Sequence, residues 1–370
     1  MKQSLKCEIT SILHSAPIVD NLARKAFISL FVLSLIQLRK VQFNELATVF
    51  NEQVKIASNQ NRIEDFFREV EINFQAVAQL MLVLLPKKGK LRLTIDRTEW
   101  DFGKCQVNIL MVLVGCGDLQ LPLYWEMLDN KSGNSNSQNR IDVLEKCFAV
   151  VDIKRIGLVI GDREFVGHKW IKYLKDNHLN FIMRFPKHHL ITLESGDVFS
   201  ISDLELGLGE SCCFETCQVD GCWGRVWIKR LDEHEYLYLF GTVEVTLLGQ
   251  LYRKRWCIEA FFQNLKGRGF HLESTHLRCI AKLSKLVALV SLAYAFCLSL
   301  GVYYHQKVQA VKMKKHGYKA NSFARYGLNQ LRALIRGELH QEILLWPLLQ
   351  RVFGWLKRQL AKNQPTILAG

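Results

Sequence analysis

From residue 91 the apolar pattern changes period, and this change constrains the fold more than any other feature. LRLTID (91–96), CQVNILMVLVGC (105–116) and LQLPLYWEML (119–128) are strand-length runs rich in branched and large apolar residues. Gly115, Gly117 and Asp118 supply a hairpin-type turn between the last two runs. After a polar loop at 129–139 comes an amphipathic helix near 140–150, then RIGLVIGD (155–162) as a buried strand. A helix near 166–177 and a strand at 180–185 follow. Three antiparallel strands and then alternating helix and strand predict an α/β core on a mixed sheet.

The flanks read differently. Residues 1–85 are helical in pattern, with segments at 22–38, 41–51 and 61–85, the last ended by Pro86. Short helices with basic residues between them fit a DNA-binding bundle and plain packing equally. KKGK (87–90) makes a basic turn into the core, and residues 188–245 form a β-rich insertion before helical periodicity returns at 249. Leu286 to Tyr304 carries no charge and is long enough to span a membrane. A helix buried on all sides has the same composition, and lysines on both flanks give no sidedness. A core helix is therefore expected, and no membrane partner. Residues 307–319 carry five Lys and no acid, a phosphate-contact patch or a solvated loop. The rest to 361 reads as helical and basic, with a frayed tail.

Charge narrows the partner. Lys and Arg number 49 against 35 Asp and Glu, a formal charge of +14. That excess suits a polyanion, because neutralising phosphates releases condensed counterions. An anionic membrane surface fits the number equally well. The opening residues lack the uninterrupted apolar region of a secretory signal, and the eleven Cys form no regular framework. Reduced thiols and a cytoplasmic, nucleoid-associated location are expected. Cys212, Cys213, Cys217 and Cys222 crowd together, but their spacing is irregular for zinc.

Three acids stand where phosphoryl-transfer chemistry would need them. Asp96 closes LRLTID and Asp162 ends GLVIGD, and functional groups in open α/β sheets collect at the carboxyl ends of strands. Glu259 lies on a helix beyond the insertion. Carboxylates are hard oxygen ligands that suit Mg²⁺. Two such ions activate an attacking oxygen on one side of phosphorus and stabilise the departing one on the other. Taken singly, an Asp at a strand end is more often a turn residue or helix cap than a ligand. The stretch 252–266 adds weight, since Tyr252, Arg255, Glu259 and Lys266 recur near one helical face. That face would present an acid to metal and cations to phosphate. An ion-paired surface helix, with Arg255 and Glu259 at i, i+4, fits the same spacing.

YRKRWCIEAFFQNLKGRG (252–269) resembles the Tyr-Arg-Glu-Lys signature of the DDE transposases of bacterial insertion sequences, family four. IDRTEW (95–100) and GDREF (161–165) are similar to the first and second acidic motifs of that family. The resemblance covers about 91–280 with all three motifs in order. It implies a ribonuclease-H-like core interrupted by a β-strand insertion before the glutamate. It implies Asp96, Asp162 and Glu259 as catalytic ligands of two Mg²⁺ or Mn²⁺ ions. Tyr252, Arg255 and Lys266 match the residues that contact phosphates at the transposon end, and Trp256 is placed with them. Double-stranded DNA, as terminal inverted repeats and target, is the implied substrate, cut and pasted through a hairpin intermediate by a homodimer. A catalytically inactive, DNA-binding descendant is the alternative, which the intact acids disfavour.

The expected organisation is a helical end-binding region at 1–86, a core formed by 87–187 and 246–305, the insertion at 188–245 and a basic helical region at 306–370. Trp223 and Trp227 lie where the family carries a base-stacking Trp, although neither aligns with it. Glu164 is a candidate substitute ligand whose side chain would point away if it lay on a strand.

Overall fold

The computed structural model describes residues 2–86, 88–102, 105–128, 133–315, 317, 319–336, 349–355 and 357–358. The chain opens on helices α1 (Lys2–His14), α2 (Leu22–Leu38), α3 (Phe43–Phe50), α4 (Ile56–Glu69) and α5 (Phe74–Val83). The pattern at 61–85 suggested one helix; it is two. Val70 is extended, and Asn73 caps α5 by accepting a hydrogen bond from the Ala76 N–H at 3.0 Å. A short polar side chain that satisfies an orphan N–H begins a new helix more readily than it extends an old one. Phe27 of α2 stacks on Phe66 of α4 with centroids 4.0 Å apart, which ties the group together.

The sheet begins with β1 (Leu91–Phe102), β2 (Cys105–Cys116) and β3 (Leu119–Met127), an antiparallel meander. Helix α6 (Ser137–Phe148) then crosses to β4 (Ile156–Gly161), and α7 (His168–Asp176) crosses to β5 (Phe181–Arg184). Both β4 and β5 run parallel to their inner neighbours, so this half is ordered β3-β2-β1-β4-β5. The residues of 188–245 supply β6 (Leu190–Leu193), β7 (Val198–Ser200), β8 (Ser211–Val219), β9 (Cys222–Arg230) and β10 (Tyr236–Gly241). These strands extend the same sheet, because β10 pairs antiparallel with β5 through Leu239↔Arg184 and Gly241↔Ile182.

Helix α8 (Val245–Tyr252) runs through a 3₁₀ turn at Arg253–Arg255 into α9 (Trp256–Leu265). Long α10 (Ile280–Lys307) and α11 (Phe323–Arg336) follow. Of the apolar window of α10, 94% is buried, so it is a core helix. One contiguous apolar core runs from α1 and α2 through β1 and β2 to α10. Residues 349–355 and 357–358 are helical; the tail read as frayed lies outside the described residues.

Candidate active site

Register brings the two aspartates together. β1 and β4 are parallel with Ile95 opposite Gly161, so Asp96 and Asp162, the latter just past the end of β4, come next on the two neighbouring segments. Asp96 was expected to end its strand, but β1 continues to Phe102 because it pairs with β2 as far as Phe102↔Cys105. What ends at Ile95 is the parallel ladder with β4, so Asp96 stands where the sheet opens. Alternation along β1 then turns Thr94, Asp96 and Trp100 toward the segment from Arg255 to Lys266. Thr94 Oγ1 lies 3.7 Å from Cys257 Sγ, Asp96 meets Arg255, and Lys266 Nζ sits over the Trp100 ring at 5.5 Å. Gly161 permits this approach of strands and loop, since a Cβ there would lie 2.7 Å from Met183 Sδ and 2.8 Å from Phe165 Cβ.

The helical segment beyond the insertion supplies the third acid. Ile258, Phe261, Phe262 and Leu265 are buried at helical spacing, and Phe261 meets Tyr294 of α10 edge-on at 4.8 Å. This fixes the rotation of α9 and leaves Glu259 facing Asp96. Tyr252, Arg255, Glu259 and Lys266 do not share one straight helix, as their spacing suggested. The 3₁₀ turn tightens the chain so that residues three apart eclipse, and Arg255 rests on the Tyr252 ring at 5.6 Å. Arg255 and Glu259 then pair at i, i+4 in α geometry. Lys266 is the cap residue that leaves the helix. Its Nζ donates to the Glu99 carbonyl at 2.9 Å and lies 3.4 Å from Glu273.

Three carboxylates from three distant segments converge on one guanidinium. Arg255 Nη1 lies 3.1 Å from Asp96 Oδ2 and 3.8 Å from Asp162 Oδ2, while Nη2 donates to Glu259 Oε1. Tyr252, itself buried, donates its hydroxyl to Asp162 Oδ1 at 3.1 Å. Asp96 also accepts from the Arg97 backbone N–H at 2.8 Å. Burial nevertheless pushes the Asp96 carboxyl up to about 7, because those hydrogen bonds and Arg255 only partly offset lost hydration. Burial weighs against the charge on Arg255, but the surrounding oxygens of Tyr252, Asp162, Asp96 and Glu259 outweigh it and hold that cation firmly protonated. Burial likewise raises the Tyr252 phenol, which stays a hydrogen-bond donor.

Among the described residues no group of three or more His, Cys, Asp or Glu side chains stands close enough to chelate a metal as placed. The Arg255 guanidinium stands among the three acids. Their oxygens already reach a common cation, however, and they are hard donors of the type that Mg²⁺ and Mn²⁺ accept. An open hollow of 440 Å³, lined by Thr98, Gln263, Lys266 and Arg268, opens beside Glu259.

Other residues fall outside this cluster. Trp256 points away from it, 63% exposed, into a separate cleft with Arg92, Arg253, Lys254 and Lys319. Trp227 packs against Gly249 of α8, and Trp223 is exposed on β9. Cys212, Cys213, Cys217 and Cys222 are free thiols. Glu164 lies in the turn after β4 rather than on a strand. It accepts from Arg97 Nε at 3.0 Å and from Ser135 Oγ at 2.8 Å. Buried Arg140 completes this network by donating to Ser135 Oγ at 2.9 Å and to the Val166 carbonyl at 3.1 Å. The network holds the loop that carries Asp162, and sequence reasoning missed it; the cations at 97 and 140 were its only signal.

A mixed α/β sheet with an acid-lined centre at the edge of its parallel strands defines the class of this protein. The sequence profile of the transposase DDE domain matches residues 96–296, more than half of the chain and all three acids, and the chain belongs to that family. No curated protein matches it. Among solved structures it is similar to a piggyBac transposase synaptic complex with hairpin DNA, at 12% identity and a TM-score of 0.44. That likeness covers 93% of this chain and 77% of the other. It is also similar to an endonuclease V from Bacillus subtilis, at 8% identity and a TM-score of 0.30, over 51% of this chain and 92% of that one.

Proposed function

We propose that this DDE transposase cuts DNA at the ends of an insertion sequence of family four and joins the freed ends to a target. Asp96, Asp162 and Glu259 would hold the metal on a ribonuclease-H-like core. The observation that carries this reading is the meeting of those three carboxylates, from β1, the loop after β4 and α9, around a single cation. The strand order β3-β2-β1-β4-β5 supports the core assignment.

Two Mg²⁺ or Mn²⁺ ions, when bound, would activate the attacking oxygen and stabilise the departing one during phosphoryl transfer. The protein's own residues prepare the rest. The backbone N–H of Arg97 and the hydroxyl of Tyr252 aim one oxygen each of Asp96 and Asp162, and the other oxygen of each turns to Arg255. Lys266 carries positive charge to the rim of the hollow, where a scissile phosphate would lie, and Arg255 stands among the three acids. Tyr252 stays behind them as an anchor. The substrate is double-stranded DNA, drawn by the +14 charge, and the working unit is a homodimer pairing two ends.

The test is strand cleavage of a plasmid carrying the native flanking DNA. Asp96→Ala, Asp162→Ala and Glu259→Ala should each abolish cleavage while DNA binding persists. Cleavage near the parental rate by any of them would reject this reading.

A further inference from the structure

The guanidinium of Arg255 stands where the acids of the site would share an ion. Nη1 lies between Asp96 and Asp162, and Nη2 is committed to Glu259. One positive charge is therefore shared among three carboxyl groups. The other cations nearby are engaged elsewhere: Arg97 with Glu164 and Glu99, and Lys266 with Glu99 and Glu273. The guanidinium is itself incompletely served. Its Nε–H is buried and meets no acceptor among the described residues, although such groups in folded proteins are nearly always paired. A planar fork with a spare donor suits a phosphate better than it suits this arrangement. The Arg255 guanidinium also lies over the Tyr252 ring, 5.6 Å from its centroid.

We propose that Arg255 is a built-in counter-ion that must leave the carboxylates before metal can enter, and that a DNA phosphate is what receives it. The inference rests on Asp96, Asp162 and Glu259 being the metal ligands. Its consequence is linkage. DNA binding frees the acids and tightens metal binding, and metal tightens DNA binding by the same factor. Without DNA, Arg255 stays among the carboxylates and keeps the metal site closed, so the protein does not load metal away from its substrate.

Mn²⁺ binding to the full-length protein, read from loss of the free-ion paramagnetic resonance signal, tests this independently of cleavage. The parental protein should bind Mn²⁺ about tenfold more tightly when a mixed-sequence duplex of about 30 base pairs is present at low salt. Arg255→Gln should bind Mn²⁺ about tenfold more tightly than the parent without DNA and gain little when the duplex is added. Arg255→Lys, which keeps the charge but cannot fork, should fall between them. If Arg255→Gln binds Mn²⁺ no better than the parent, or if the parent gains nothing from the duplex, Arg255 is not the gate. Should Arg255→Gln fail to fold, the parent with and without duplex still decides. Asp162→Asn and Glu259→Gln separate this from the reading beneath it. If they bind Mn²⁺ like the parent, the ligand assignment fails. If they lose Mn²⁺ while Arg255→Gln gains none, displacement alone is wrong.

Discussion

Asp96 Oδ2 accepts a hydrogen bond from Arg255 Nη1 at 3.1 Å across 159 residues of sequence. Parallel pairing of β1 with β4 puts Asp162 beside Asp96, and the rotation of α9 puts Glu259 on the opposite side of the same cation. The centre of the site is thus a cluster of like charges assembled by tertiary structure, and its cost falls on stability.

That cost is measurable as a dependence on pH. The Asp96 carboxyl is raised from its ordinary 3.8 to about 7, first by burial. Between those values the unfolded chain has released the proton and the folded chain retains it. Stability is therefore greatest below about pH 4 in this respect and is lost as pH rises through 7. Asp96→Asn removes the titration. The stability of the metal-free variant relative to the parent should rise between pH 5 and 8 by about 1–3 kcal/mol. Thermal unfolding at both pH values in chelator measures it. A flat difference would mean that Asp96 is not desolvated in the folded protein.

Lys266 caps α9 at the rim of the hollow beside Glu259, held by the Glu99 carbonyl and the face of Trp100. If Lys266 meets a DNA phosphate as proposed, Lys266→Ala would remove that partner without touching the three acids. DNA affinity should fall, and the slope of log affinity against log salt should shrink by about one. Fluorescence anisotropy across a salt series gives the slope, and an unchanged slope would place Lys266 off the DNA path.

The backbones of α10 and α11 touch through glycine. A Cβ on Gly327 would lie 1.9 Å from the Cys297 carbonyl oxygen, and one on Gly301 would lie 1.8 Å from that of Phe323. No rotamer change relieves contact with a backbone atom, so Gly327→Ala must push the helices apart. A loss of about 2–4 kcal/mol is expected. Gly267, where a Cβ meets nothing within 4 Å, is the control. Denaturant unfolding of Gly327→Ala and Gly267→Ala should separate clearly; equal midpoints would refute the close packing.

Much of this was legible locally, and what was not was set by distant partners. Asp96, Asp162 and Glu259 could be singled out because each sits in a short motif whose period marks a strand or helix. The end of β1 could not be placed, because β2 holds Asp101 and Phe102 in the ladder after β4 has left it. Arg255 read as a helix-surface partner of Glu259. It is that, but its second hand reaches Asp96, a contact no spacing within 252–266 encodes. Glu164 looked like a strand residue until Arg97 and Ser135 claimed it from elsewhere in the chain. The charge-free run at 286–304 could be told from a membrane span only by the chains packed around it.

Lys285 shows how the N-terminal helices are tied to that core helix. Its side chain is 5% exposed, yet Nζ donates to the Phe67 carbonyl at 3.3 Å and lies 3.5 Å from Glu71. Phe67 lies in the last turn of α4, where carbonyls lack intrahelical donors. The ammonium from α10 therefore serves as a remote cap and complements the negative end of the helix dipole. Lys285→Met keeps the apolar stem and removes the charge. It should cost about 1–2 kcal/mol, because a buried carbonyl then loses its partner. Hydrogen exchange should rise selectively at the C-terminal end of α4 while β1 and β4 stay protected. A stabilised variant would instead mean that desolvating the ammonium outweighs the bond it makes.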